Sequence, residues 1–322
     1  MAGSSGRITL WGVEVFVATA EEASITAAAK RLDTSAATVS QQLTNLEANI
    51  GTTLLDRQAR PVALTPAGDM FLRRANAILN EADQARAELG QQDLSHLTRF
   101  RLGMIEDFDA DVTPRLLSDM ADDLKSCQFL LETGASHRLL DLLETRALDV
   151  VVAADMGQQA PTMEVHPLME EPFVLAMPKG ALGPGDVLRQ LRRMPFVQYT
   201  ERHLMGRTIA AHLSRQNIVL TRRFELDSYH AILAMVAEGA GWTILTPLGW
   251  MRAQRFRDAV DVAPLPGPGL SRTISLTARR DLLGTMPGEI AGRLRPLLSE
   301  LILGPAVQRF GWLNDTMRIV VD

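Results

Sequence analysis

Residues 35–51 read SAATVSQQLTNLEANIG, and they decide how the first part of the chain folds. Large apolar side chains recur at helical spacing, at Val39, Leu43, Leu46 and Ile50. This spacing predicts an amphipathic helix with one apolar stripe. Ser35 can cap the start of this helix, and Gly51 can end it in the left-handed conformation. The opposite face is polar but uncharged, which is unusual for a helix face that meets only water.

The segments on both sides complete a small motif. The stretch SITAAAKRLDT (24–34) predicts a second short helix, capped by Ser24 and followed by a tight turn. LWGVEVFVATAEE (10–22) predicts an earlier helix, and LLDRQARPVALT (54–65) predicts two short strands around Gln58–Pro61. Two short helices joined by a tight turn and followed by such a wing are typical of a winged helix-turn-helix.

The uncharged face is suited to reading DNA. In a helix-turn-helix the second helix enters the major groove, where glutamine can bond to adenine and a threonine methyl can pack on thymine. Basic side chains around it would meet phosphates. The candidate DNA contacts are Lys30, Arg31, Ser35, Ala37, Thr38, Ser40, Gln41, Gln42, Asn45, Arg57 and Arg60. The alternative is a small helical bundle with a polar face and no DNA-binding role.

The next segment predicts a long helix that pairs with a second copy of the chain. Thr65 and Pro66 are typical of a helix start. A heptad spacing then follows at Phe71, Ala75, Ile78, Ala82, Ala85 and Leu89. The alternative is a single amphipathic helix packed on its own domain. Because residues 1–66 hold no excess of basic side chains, one copy should bind DNA weakly, and pairing would supply the affinity.

This N-terminal third resembles the LysR-type transcriptional regulators, through the elements AAKRL, TVSQQLTNLE, IGTTLLDR and LTPAG in that order. Leu55 stands where the family usually has an aromatic residue, and we expect it in the core. The resemblance implies a winged helix-turn-helix over 7–65, a dimerising linker helix over 66–93 and an effector-binding regulatory domain over 99–303. It also implies double-stranded DNA with paired half-sites as the target, and a homodimer that assembles into a homotetramer.

The regulatory region can be read independently of that resemblance. Predicted strands alternate with helices along residues 99–303, which favours a mainly parallel α/β sheet. The resemblance implies two lobes similar to the halves of a periplasmic binding protein. Lobe I would comprise about 99–168 and 270–303, and lobe II about 169–269. The tail 304–322 follows the last predicted helix, and the sequence assigns it no role.

Ligands of open α/β sheets bind beyond the carboxyl ends of strands, near helix starts. The effector candidates at such positions are Glu106, Asp107, Phe108, Ala153, Tyr199, Thr200, His203, Asp227, Ser228 and Tyr229. The carboxylates of EDFDAD (106–111), with the two tyrosines, predict a cationic or hydroxyl-rich effector. Two alternatives stay open: the acids serve only the dipole of the following helix, or Arg202 and His203 complete a site for a zwitterion.

Composition excludes several other classes. The 322 residues are 46% apolar and 22% charged with a net charge of −5, an ordinary globular balance. There is no apolar run of about 18 residues and no signal-peptide pattern at the start, so we expect no membrane contact and a cytoplasmic location. The single cysteine, Cys127, excludes an intrachain disulfide and is expected to be structural and buried, although a redox sensor is the alternative.

No catalytic signature stands out in the chain. Metal-ligand clusters, a nucleophile elbow and a phosphate-binding loop are all missing from the sequence, so we expect no enzymatic activity, no metal and no cofactor other than the effector. We predict a transcriptional regulator that binds specific DNA and is modulated by a small molecule between its lobes. A solute-binding protein without DNA-binding function is the alternative, although it would leave the winged segment unexplained.

Overall fold

The computed structural model describes residues 7–89, 97, 99–125, 127–157 and 160–321, without the side chains of residues 80 and 83–89. The chain forms two compact units. The first contains the N-terminal helices, and the second contains the predicted regulatory region.

The first unit is a winged helix-turn-helix followed by a long helix. Its elements are α1 (Leu10–Glu22), α2 (Ile25–Arg31), α3 (Ala36–Ile50), β1 (Leu55–Asp56), β2 (Ala63–Leu64) and α4 (Pro66–Leu89). The predicted caps are present: Ser24 Oγ accepts from the Ala27 N–H, and Ser35 Oγ accepts from the Thr38 N–H. Gly51 ends α3 with φ of 81°, in the left-handed region that favours glycine.

The core of this unit lies between α1, α3 and the start of α4. Val39, Leu43 and Leu46 are buried as the spacing predicts, and Leu55 is buried with them. Helix α4 contributes Phe71 and Ala75 to the same core, together with other residues of its first half. The Phe71 ring packs edge-on against Phe16, with centroids 5.2 Å apart.

The predicted heptad seam of α4 is therefore used partly within the chain. Phe71 and Ala75 pack on their own unit, as the alternative reading of this helix proposes. Ile78 is exposed to 38%, and Ala82 is half-buried. The side chains of Ala85 and Leu89, the last two positions of the seam, lie outside the described residues.

The second unit contains the remaining strands and helices. Its strands are β3 (Arg99–Ile105), β4 (Gln128–Gly134), β5 (Val150–Ala154), β6 (Met163–Pro172), β7 (Val174–Pro178), β8 (Phe196–Tyr199), β9 (Arg222–Leu226), β10 (Thr243–Leu245), β11 (Val260–Pro264), β12 (Ser271–Arg279) and β13 (Arg318–Ile319). Its helices are α5 (Val112–Asp123), α6 (Ser136–Glu144), α7 (Val187–Leu191), α8 (Leu204–Arg215), α9 (Tyr229–Ala237), α10 (Pro247–Arg252), α11 (Met286–Leu298) and α12 (Gly304–Arg309).

These strands form two lobes. Lobe I holds a six-stranded sheet in the order β13-β6-β12-β5-β3-β4. Lobe II holds the three-stranded sheet β10-β7-β11 and the pair β8-β9, and it has its own core. The two-lobed fold expected from the sequence is present.

The prediction of a mainly parallel sheet is wrong. Only β3 with β4, β3 with β5 and β8 with β9 are parallel among the described strand pairs. Strand β6 leads out of lobe I and β12 returns to it, so the two run in opposite directions and pair along their whole length. Such crossing strands make the large sheet mixed.

The tail beyond residue 303 is folded onto both lobes. Strand β13 extends the sheet of lobe I by pairing Arg318 with Glu170 and Ile319 with Met169. Phe310 and Trp312 pack against the core of lobe II. The sequence reading missed β6, β11 and β13, so this structural role of the tail was not foreseen.

Candidate DNA-binding face and effector cavity

The polar face of α3 is accessible. Ser35, Ala37, Gln41 and Asn45 are exposed. Thr38, Ser40 and Gln42 are half-buried on the flanks of the same helix. Two hydrogen bonds order this face: Gln41 Nε2 donates to Asn45 Oδ1 at 3.0 Å, and the hydroxyls of Ser35 and Thr38 lie 2.8 Å apart. The side chains that were predicted to read bases thus lie along one accessible face of α3, where two pairs of them are hydrogen-bonded.

The four predicted phosphate contacts differ in their surroundings. Lys30 and Arg60 are exposed, and Arg60 Nη1 donates to the backbone carbonyls of Arg57 and Ala59. Arg31 Nη1 instead lies 2.8 Å from Glu21 Oε2 and 3.2 Å from Glu22 Oε1. An arginine that already holds two carboxylates gains less from a phosphate than a free arginine does.

Glu47 fixes the wing on α3, a role that sequence reasoning missed. Its Oε1 accepts the backbone N–H groups of Leu54, at 2.8 Å, and Leu55, at 3.1 Å. Its Oε2 forms an ion pair with Arg57, whose Nη1 also donates to Thr44 Oγ1 at 3.0 Å. Arg57 therefore belongs to the internal network of the unit as well as to its surface.

The second unit encloses a cavity of about 260 Å³. It lies where several strands and helix starts converge, as the topology argument predicts. Six of the predicted effector residues line it: Glu106, Asp107, Tyr199, His203, Asp227 and Tyr229. They lie at the end of β8, in the turns after β3, β8 and β9, and at the start of α9, which the fold of the unit brings together.

Four other candidates lie outside the lining. Phe108 is fully buried in the core, and Ala153 is replaced in the lining by its neighbour Ala154, because successive residues of a strand point to opposite faces. Thr200 is buried, and its hydroxyl donates to Glu225 Oε1 at 2.6 Å. Ser228 precedes α9 without forming a side-chain cap.

A buried ionic cluster that the sequence did not predict forms one side of the cavity. Arg272, from the start of β12, donates through Nε to Glu171 Oε1 at 2.7 Å and through Nη2 to Asp107 Oδ2 at 2.8 Å. Glu171 Oε2 also accepts the Leu248 N–H. Burial alone would lower the pKa of Arg272, but the carboxylates of Glu171 and Asp107 raise it, so the guanidinium stays protonated.

The cluster leaves one oxygen atom unsatisfied. Oδ1 of Asp107 is buried and accepts no hydrogen bond from any of the residues that the structure describes. The Asp107 side chain is only 5% exposed and belongs to the cavity lining. Two carboxyl groups share one guanidinium here, so the cluster carries an excess of acidic groups.

Two tyrosine rings add a less polar part to the lining. Tyr199 and Tyr229 pack with centroids 5.3 Å apart, and both hydroxyls have acceptors, the Asp227 carbonyl at 2.9 Å and Met205 Sδ at 3.0 Å. Burial raises the pKa of both tyrosines, so they stay neutral. Tyr229 lies on Gly249, where an added Cβ would come within 2.6 Å of Tyr229 Cε1.

His203 sits beside these rings at the start of α8. Its ring centroid is 5.8 Å from that of Tyr199 and 5.5 Å from that of His137. Burial and the neighbouring His137 lower the pKa of His203, which keeps its imidazole neutral at pH 7. Within the described ranges, no three His, Cys, Asp or Glu side chains are grouped as metal ligands. Of the helices described, none is long and apolar enough to cross a membrane.

A winged helix-turn-helix and a two-lobed domain with an internal cavity define a DNA-binding protein that responds to a small molecule. The family model of the bacterial regulatory helix-turn-helix protein, lysR family, matches residues 10–69, and that of the LysR substrate binding domain matches residues 95–285. The chain therefore belongs to the LysR family of bacterial transcriptional regulators.

Three relatives illustrate the similarity. A Mycobacterium xenopi protein named "Probable hydrogen peroxide-inducible genes activator" is 33% identical over 195 residues, covering 61% of this chain and 100% of that one. The Escherichia coli DNA-binding transcriptional dual regulator OxyR is 26% identical over 270 residues, covering 83% and 88%. A full-length OxyR variant of Pseudomonas aeruginosa has the same fold, with a TM-score of 0.65, 23% identity and coverage of 90% and 95%.

These findings confirm the function predicted from the sequence. The protein is a DNA-binding transcriptional regulator whose activity an effector modulates, and the solute-binding alternative has no support. Its relatives are transcriptional regulators and not enzymes.

Proposed function

We propose that this regulator responds to a small organic cation, which binds in the cavity with a donor group against Asp107. The observation that carries the proposal is Asp107 Oδ1, a buried acceptor without a partner among the described residues. Buried polar atoms are almost always hydrogen-bonded, so such an atom in a cavity wall favours a ligand with an N–H donor. An ammonium group would make the stronger, charge-assisted bond.

The charges around Asp107 support a cation over an anion. Glu106, Asp155 and Asp227 also line the cavity, whereas Arg272 is the one guanidinium in the lining and is already held by two carboxylates. The rings of Tyr199 and Tyr229 add aromatic surface, on which a cation or an apolar chain can rest.

The named relatives raise the question of peroxide sensing, and the chemistry of Cys127 argues against it here. The chain has one cysteine, so two thiols of the same chain cannot form a disulfide. Burial raises the pKa of Cys127 to about 11, with a further contribution from Asp149. Because the thiolate is the reactive form, such a thiol reacts slowly with oxidants at neutral pH.

The proposal also concerns assembly and location. Met70 and Ile78 of α4 are exposed to 66% and 38%, and such apolar surface supports pairing of two copies through this helix. A dimer would bind two half-sites about one or more helical turns apart on one face of the DNA. We extend this to a tetramer of two dimers, acting in the cytoplasm without a resident cofactor.

Thermal unfolding of the full chain with a small ligand panel tests the effector class. Benzylamine and putrescine represent cations, phenylacetate and succinate represent anions, and glycine represents a zwitterion. We expect only the cations to raise the melting temperature in proportion to the logarithm of their concentration. Asp107→Asn should weaken the binding of the cations by at least about tenfold.

The matched control is Asp122→Asn, which removes an exposed carboxylate on α5 and should leave binding unchanged. The proposed cation site would be refuted if only phenylacetate or succinate raised the melting temperature. It would also be refuted if Asp107→Asn left the response to the cations intact. Hydrogen peroxide provides a further arm: a change in DNA binding that peroxide causes and Cys127→Ser abolishes would show a thiol sensor instead.

A further inference from the structure

A second cavity, of about 330 Å³, lies away from the first, between lobe II and the tail. Its apolar lining includes Val260, Val262 and Phe310, and its polar lining includes Lys179, Arg257 and Arg309. None of these residues belongs to the effector cavity described above. Neither the sequence reading nor the family resemblance assigns this place a role.

Two residues of this lining carry a buried N–H group that has no acceptor among the described residues. Trp250 is only 3% exposed, and its Nε1 lacks a hydrogen-bond partner in the described part of the chain. Arg257 Nε is buried and lacks one as well. The two groups are neighbours, because the Arg257 guanidinium carbon lies 5.0 Å from the centroid of the Trp250 ring. Orphaned buried donors are rare in folded proteins, and two at one cavity favour an absent acceptor.

The surrounding charges indicate that this acceptor is negative. Arg257 and Arg309 both line the cavity, and burial together with Arg309 lowers the pKa of Arg257, which Asp111 partly offsets. Among the described residues neither arginine forms an ion pair with a carboxylate, and Arg257 Nη2 donates to the Met251 carbonyl. Asp258 and Asp261 are exposed at the rim, and Asp261 Oδ2 is already bonded to the Gly180 N–H at 2.8 Å.

We propose that this cavity binds a small oxyanion, a carboxylate or a phosphate, which accepts hydrogen bonds from Trp250 Nε1 and Arg257 Nε. The anion also neutralises Arg309, which the tail brings to the cavity. The apolar wall of Val260, Val262 and Phe310 accommodates a short hydrocarbon part. Bound there, the anion holds the tail against lobe II and so acts at a place separate from the effector.

The tail is well placed to pass such binding on to lobe I. Phe310 packs edge-on against Trp250, with centroids 4.9 Å apart, and Trp312 packs beside it. A few residues later β13 joins the sheet of lobe I through Ile319 and Met169. The segment therefore connects the two lobes, and an anion that fastens one end of it restrains their relative movement.

Titration of the full chain with hexanoate and with inorganic phosphate, each against chloride at equal ionic strength, tests the proposal. Tryptophan fluorescence should change saturably with at least one oxyanion and not with chloride. Arg257→Gln should weaken that binding by at least about tenfold, because a charge-assisted bond is lost. Trp250→Phe, which keeps an aromatic ring and removes the N–H, should weaken it severalfold by calorimetry.

The matched control is Arg255→Gln, which removes an exposed arginine stacked on Phe256, outside the lining of the cavity. Its affinity for the oxyanion should equal that of the unchanged chain. If Arg257→Gln impairs folding, Arg309→Gln replaces it, because Arg309 is exposed. The proposal would be overturned if neither oxyanion bound saturably beyond the level of chloride. It would also be overturned if binding survived both arginine substitutions and Trp250→Phe. Asp107→Asn should leave oxyanion binding intact, which separates this site from the effector site.

Discussion

Arg272 Nη2 lies 2.8 Å from Asp107 Oδ2, and this bond joins the first strand of lobe I to the strand that returns from lobe II. The same guanidinium holds Glu171, whose side chain is fully buried. The Arg272–Asp107 pair thus fixes one carboxylate oxygen and leaves the other, Oδ1, buried and without a hydrogen-bond partner among the described residues. One arginine therefore pairs with two buried carboxyl groups, one of which belongs to the cavity lining.

Arg272→Met should lower the free energy of unfolding of the regulatory unit by about 3–5 kcal/mol, because Glu171 would remain buried without its counter-charge. Adding Glu171→Leu to that variant should restore part of the loss. Urea unfolding of both variants, followed by circular dichroism, measures the difference. Equal midpoints for Arg272→Met and the unchanged chain would show that the cluster contributes little.

Base reading by α3 can be tested at Gln41. Gln41→Ala should reduce the affinity for the specific site by about 1–3 kcal/mol and relax the preference at one base pair, because a bidentate contact is lost. Selection from random DNA followed by anisotropy titration measures both effects. Asn49→Ala is the control on the same helix, since its side chain bonds to the Arg7 carbonyl, and it should keep the base preference.

The two wing arginines should separate DNA contact from wing stability. Arg60→Ala should weaken binding to all DNA sequences about equally. The salt dependence of the binding constant should fall by about one phosphate contact, and the melting temperature should not change. Arg57→Ala should also lower the melting temperature, because it removes the partner of Glu47. Anisotropy at several salt concentrations, together with thermal unfolding, distinguishes the two. Identical behaviour of both variants would contradict the assignment.

Pairing through α4 can be tested at Ile78. Ile78→Asp would place a charge in the proposed interface, where it would be desolvated without a partner, so the dimer should dissociate and specific DNA affinity should fall. Sedimentation velocity and anisotropy report the two effects. Arg73→Asp adds the same carboxylate at an exposed position of that helix and should preserve the dimer. A monomeric Ile78→Asp chain that still binds the operator tightly would refute this role.

The pH dependence of cation binding follows from His203. Because burial and His137 lower the pKa of His203 below its ordinary value, affinity should be level near pH 7 and fall only as the pH drops through that lowered pKa. Protonation then adds positive charge beside Asp227, Arg202 and Glu106, the other groups that act on His203. The same shift makes folding less favourable as the pH falls from about 6.5 towards the lowered pKa.

Calorimetry with benzylamine between about pH 7.5 and pH 5.5 measures this dependence. His203→Gln, which cannot take up a proton, should flatten it. An unchanged pH profile in that variant would assign the effect to the carboxylates instead.

The N-terminal unit was largely predictable from the sequence, because its signals are local. Ser35 and Gly51 mark the two ends of α3, and the spacing of Val39, Leu43 and Leu46 gives its buried face. The wing strands follow from the same stretch of chain. The six effector residues that line the cavity could be found because each directly follows a predicted strand or begins a helix.

The remaining features depend on contacts between distant residues. Glu171 is the second-last residue of β6, whose sequence MEVHPLMEEP mixes charged residues with two prolines and resembles a loop more than a strand. Its partner Arg272 is 101 residues away, so nothing local announces the pair. The direction of β12 depends likewise on where the chain returns from lobe II. The local sequence does not show this, so the alternation of strands and helices alone predicts a mainly parallel sheet.

Gly249 leaves room for the ring of Tyr229, which lines the effector cavity. A methyl group at this position would meet the ring of Tyr229, so Gly249→Ala would have to push that ring away from α10 without altering a single charge. Glycine and alanine codons differ by one nucleotide. A single nucleotide change therefore suffices to move an aromatic wall of the cavity while every charged residue of its lining stays in place.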